Sequence, residues 1–81
     1  MIEIRDYRDG KTIVVYTDDN TVVTKLNNRT QLIKTQDYTK EEELVGKDLY
    51  FPKSQLRSIC RALGYKLNKN FTPREFRQIE I

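Results

Sequence analysis

Lys53, Arg57 and Arg61 recur at every fourth residue, and Lys66, Lys69, Arg74 and Arg77 follow within a short stretch of chain. Positions four apart share one face of an α-helix, so the first three make a cationic stripe. The chemistry open to such a stripe is phosphate neutralisation, in which cations placed along one rigid surface release counterions from a nucleic acid. Ser54, Ser58, Asn68 and Asn70 would be its hydrogen-bonding neighbours. The same surface could instead meet an acidic protein partner, or serve only as the solvated face of an amphipathic helix.

Catalytic chemistries find little support. The chain has no His, which removes the commonest general base and most metal sites. Cys60, the one cysteine, falls among apolar residues and reads as a packed thiol that forms no internal disulfide. Asp9-Gly10-Lys11 and Asp18-Asp19-Asn20 carry the residue types that turns require, and the Glu41-Glu42-Glu43 run reads as a solvated helix start. With three Gly in the chain there is no phosphate-binding glycine loop. The expectation is a non-enzyme without metal or small-molecule cofactor. Tyr50 and Tyr65, flanking the basic stretch, are the aromatic residues most open to stacking on bases.

An 81-residue chain suits one small domain, spanning 1–81, with a marginal core. The net charge is +3. It is divided unevenly: residues 1–46 sum to −2 and residues 47–81 to +5. No apolar run reaches membrane-spanning length, and the alternating N-terminus reads as a strand in place of a signal peptide. A cytoplasmic, soluble protein is expected.

The stripe must be positioned by a helix. Leu56, Ile59, Cys60 and Leu63 fall at i, i+3, i+4 and i+7, one apolar face, with Pro52 suited to the first turn and Gly64 to the stop. Ahead of it, Ile2–Arg8 and Lys11–Thr17 predict a hairpin through Asp9-Gly10. Thr21–Leu26 and Thr30–Thr35 predict a third and a fourth strand. Thr39 with Glu42 spells a capping box, predicting a short helix that Gly46 ends. Leu49-Tyr50-Phe51 leads into the main helix. Near the C-terminus Thr72, Pro73 and Glu75 suit N-cap, N1 and N3, and Phe71 and Phe76 suit a hydrophobic staple. They predict a last helix from Pro73 to about Ile79, although 76–81 would also alternate as a strand.

Ile59-Cys60-Arg61-Ala62-Leu63-Gly64-Tyr65, preceded by Tyr50-Phe51, resembles the helix of the Bro-N domain of phage antirepressors and related viral DNA-binding proteins. Here Ser58 stands where that family's helix carries Asp, and the aromatic pair lies further from the helix. The resemblance implies a regulatory protein of a phage or mobile element.

The resulting expectation is an α+β fold: an N-terminal antiparallel β-meander of three to four strands (1–36), then a mostly helical part (37–81) with a main amphipathic helix and a short C-terminal helix. Its function is expected to be non-catalytic binding of nucleic acid through the basic helix face. The alternative is a small protein-binding inhibitor or adaptor that blocks a larger host or defence machine through its surface.

Overall fold

The computed structural model of the chain describes residues 1–29, 31–68, 71 and 76–81. Its first hairpin forms as the sequence predicts. Strands β1 (Ile2–Asp6) and β2 (Thr12–Thr17) pair antiparallel with Ile4 opposite Val15 and Arg5 opposite Val14. In the connecting loop Gly10 takes φ 74°, the left-handed conformation for which a residue without Cβ is needed. The Asp9 carboxylate closes the loop by accepting from the backbone N–H groups of Lys11 and Thr12, each at 2.8 Å.

Beyond β2 the predicted meander is wrong. Thr21–Leu26 is not a strand: helix α1 spans Asn20–Asn27. Asp19, expected in a turn, is its N-cap and accepts from the Thr21 N–H at 2.8 Å. The β-branched Val22, Val23 and Thr24 favour a strand locally, but that preference is small and the cap with burial of Leu26 outweighs it. The fourth strand lies further on than predicted, as β3 (Lys34–Lys40).

The predicted short helix at 39–46 is likewise absent. The Thr39/Glu42 pattern sits in a β-hairpin joining β3 to β4 (Glu43–Pro52), with Lys40 opposite Glu43 and a two-residue turn of Glu41 and Glu42. Both turn residues have positive φ, 53° and 68°, as a type I′ turn demands. A bulge between Tyr38 and Thr39 in the ladder offsets its outer end, so that Gly46 and Leu44 are consecutive partners and Val45 is extra.

The main helix is shorter than its sequence signal. A 3-10 turn covers Lys53–Gln55, and α2 proper runs over Leu56–Ala62. Its end is a Schellman motif, with Tyr65 N–H donating to Cys60 O at 2.8 Å and Gly64 N–H to Arg61 O at 3.1 Å. Gly64 sits at φ 75° where the prediction placed it. The predicted last helix does not extend to Ile79, because Gln78–Glu80 form strand β5 against β1, with Ile79 opposite Ile4. Its predicted cap and first turn, Thr72, Pro73, Arg74 and Glu75, lie outside the described residues. Phe71 and Phe76 do meet, edge to face, with ring centroids 6.2 Å apart.

The described residues therefore form a five-stranded antiparallel sheet in the order β3-β4-β2-β1-β5 with two short helices. This replaces both the meander at 1–36 and the mostly helical 37–81. Ile4, Ile13, Val15, Leu49, Phe51 and Ile79 project from one face of the sheet and pack with Leu26 of α1 and with Leu56, Ile59 and Cys60 of α2. Both helices thus cover the same face. Side chains alternate along strands, so Arg5, Val14, Tyr16, Asp48, Tyr50, Gln36 and Tyr38 project from the opposite face, which carries no helix among the described residues.

Candidate functional site

Two surfaces concentrate functional side chains, one at the end of α2 and one on the helix-free face of the sheet. At the first, the turn of helix that buries Ile59 and Cys60 leaves Arg57 and Arg61 exposed, and the Schellman motif folds the chain back so that Lys66 joins them. Arg57, Arg61 and Lys66 line one shallow pocket of about 380 Å³ together with Tyr65 and Leu67. Tyr65 is 37% exposed. Among the described residues no carboxylate lines this pocket or pairs with its three cations. The Arg57 guanidinium lies 5.8 Å from the Phe71 ring centroid and donates to Phe71 O at 3.4 Å, which fixes its direction.

The other members of the predicted cationic set do not gather there. Lys53 lies in the 3-10 turn ahead of α2, which breaks the four-residue stripe. Its ammonium faces Asp6 at 3.7 Å, with its side chain only 16% exposed. Arg77 precedes β5, donates to Phe76 O at 3.2 Å and lines the pocket on the other face of the sheet. Lys69 and Arg74 lie outside the described residues. Ser58 holds the loop after α1 in place by accepting from the Arg29 guanidinium.

The second surface was not visible as a site in the sequence. Its centre is Asp48 on β4, 1% exposed, with one carboxylate oxygen, Oδ2, accepting from Arg5 Nη2 at 3.2 Å and from the Tyr38 hydroxyl at 2.6 Å. The other oxygen, Oδ1, is buried without a hydrogen-bond partner. Asp48 and the cost of burial push the Tyr38 hydroxyl above the ordinary tyrosine range, the hydrogen bond being the largest cause. Tyr50 moves the same way, chiefly by desolvation.

Around Asp48 stand four tyrosines. Tyr7 packs edge-on against Tyr50 at 5.4 Å, and Tyr16 against Tyr38 at 5.9 Å. Tyr16 lies flat across Gly46, where an added Cβ would stand 2.5 Å from its hydroxyl oxygen, so glycine is what admits the ring. The Lys34 ammonium sits 4.6 Å from the Tyr50 ring centroid. An open pocket of about 700 Å³ spans Arg5, Arg8, Tyr38, Asp48, Tyr50 and Arg77.

Comparison with protein-family models, with curated proteins and with solved structures finds no match to this chain. Among the described residues no helix is long and apolar enough to cross a membrane, and no group of three or more metal-ligating side chains converges.

Proposed function

We propose that this chain is a small non-catalytic nucleic-acid-binding protein whose phosphate contacts come from Arg57, Arg61 and Lys66. One observation carries the reading: these three cations line a single pocket beside an exposed tyrosine, with no carboxylate in the lining among the described residues. The carbonyl end of α2 opposes an anion there with roughly half an elementary charge, against three full positive charges, so the cations dominate. The resemblance of the 59–65 segment to the Bro-N helix points the same way. Lys53, tied to Asp6, is not counted among the phosphate contacts.

A variant with Arg57→Gln, Arg61→Gln and Lys66→Gln tests the reading. All three positions are exposed, so each change should move stability by no more than about 0.5 kcal/mol. The folded variant is expected to lose its affinity for DNA and RNA oligonucleotides at low salt. Unchanged affinity would remove these residues from the interface.

The second reading, an inhibitor or adaptor that binds a larger protein, draws on the β3–β4 hairpin. Its strand β3 lies at the edge of the sheet and is exposed along its length, and Leu44 and Val45 beside it are 51% and 45% exposed. An unpaired edge of this kind accepts an added strand from a partner. A stoichiometric complex that survives nuclease treatment and is lost on shortening this hairpin would favour it.

A further inference from the structure

We propose that the helix-free face of the sheet is a base-binding site for single-stranded nucleic acid, and that Asp48 makes it prefer cytosine to uracil. The inference rests on the nucleic-acid reading above and adds to it a second surface with a different task. Arg57, Arg61 and Lys66 meet phosphates at the end of α2, whereas this face meets bases.

Charge and ring placement favour a nucleic-acid strand here. Asp6 is answered by Lys53 at 3.7 Å, and Arg5 is shared by Asp48 at 3.2 Å and Glu3 at 3.5 Å. Arg8, Lys34 and Arg77 then remain around the tyrosines without an acidic partner among the described residues. Tyr7 and Tyr38 are 48% and 38% exposed, so their rings are within reach of a ligand, while Tyr50 at 6% forms the floor. Exposed aromatic rings among backbone-tracking cations are what a protein needs to hold unpaired bases, since every base offers a π-face.

Asp48 supplies the selectivity. Its Oδ2 already takes two donors, and its Oδ1 takes none although the side chain is 2% exposed. A buried acceptor without a donor is an unusual feature, and a ligand N–H is one way to satisfy it. A carboxylate accepts a hydrogen bond from the N4 amino group of cytosine. At the same position uracil carries the O4 carbonyl, which a carboxylate oxygen repels. The two bases otherwise share size and stacking surface. Oδ1 is covered in this structure, so a base reaches it only with a local movement of the side chains around it.

The test compares oligo(dC) with oligo(dU), each of about twelve nucleotides, by fluorescence anisotropy at one low salt concentration. The wild type is expected to bind oligo(dC) about ten-fold more tightly, the effect of one well-placed hydrogen bond to a base edge. Asp48→Asn, checked for folding by circular dichroism, is expected to abolish that ratio, because its amide can also donate to O4. Should that variant fail to fold, Tyr7→Ala at an exposed position serves instead. It should weaken both oligonucleotides about five-fold or more while the ratio persists.

Equal wild-type affinities for oligo(dC) and oligo(dU), or full affinity in Tyr7→Ala, would overturn the inference. The nucleic-acid reading would still stand if binding remained sensitive to Arg57, Arg61 and Lys66. Absence of any oligonucleotide binding by the wild type would overturn both, and a tyrosine- and arginine-rich face of this kind would then suit a protein partner.

Discussion

Asp48 and Cys60 show how differently two buried polar side chains are handled in one small molecule. Asp48 is held by Arg5 and Tyr38 across the sheet, so removing either donor leaves buried carboxylate poorly satisfied. Tyr38→Phe should therefore cost about 1–3 kcal/mol at neutral pH, measured by urea denaturation. The same substitution should change the alkaline limb. The hydrogen bond to Asp48 and burial raise the Tyr38 hydroxyl, so the folded state favours the neutral phenol. That contribution is complete below the ordinary tyrosine value of about 10 and is lost as pH rises through the higher folded value. Tyr38→Phe should accordingly lose stability less steeply above pH ~10 than the wild type; an unchanged slope would mean that Tyr38 is not the group responsible. Cys60, 1% exposed, needs no partner, and burial pushes its thiol up. A thiol reagent at neutral pH should label it slowly in the native protein and rapidly in denaturant, whereas equal rates would contradict its packing.

At the scale of elements, two of the places where local sequence misleads are also the most informative to mutate. Replacing Glu41-Glu42 with Asn-Gly should raise stability by about 1 kcal/mol, because a non-glycine residue in the left-handed region costs on the order of 1–2 kcal/mol. If the segment were the helix start that Thr39 and Glu42 suggest, the same change would destabilise it. Asp19→Ala should cost about 0.5–2 kcal/mol by loss of the α1 cap, and would be nearly silent if Thr21–Leu26 were a strand. The apolar face of α2 and its glycine stop were legible because they repeat within one short stretch. Strand β1 was legible too, as the alternating segment ahead of Asp9-Gly10. What could not be read was pairing at a distance. Asp48 meets Tyr38 only because β3 and β4 form a hairpin, and it meets Arg5, 43 residues away in sequence, only because β4 lies near β1 with β2 between them. Neither partner leaves a local signal, and reading 39–46 as a short helix hid the hairpin that brings Tyr38 to Asp48. The cationic stripe divides for a local reason instead: Lys53 lies in the 3-10 turn at Lys53–Gln55, ahead of the helix that carries Arg57 and Arg61.

For the whole molecule, the sheet separates two surfaces. Its helix-bearing face is closed by the core, and the end of α2 on that side presents Arg57, Arg61 and Lys66. Its other face presents the tyrosines around Asp48. Phosphate binding by the first surface is the proposed function. It is tested most directly by the salt dependence of binding to a single-stranded oligonucleotide, measured for the wild type and for the Arg57→Gln, Arg61→Gln, Lys66→Gln variant. Each phosphate contact contributes about 0.7 to the slope of log affinity against log salt on a single strand, so the variant should bind more weakly with a slope shallower by about two. A wild type without measurable affinity at low salt, or a folded variant with the wild-type slope, would contradict the account.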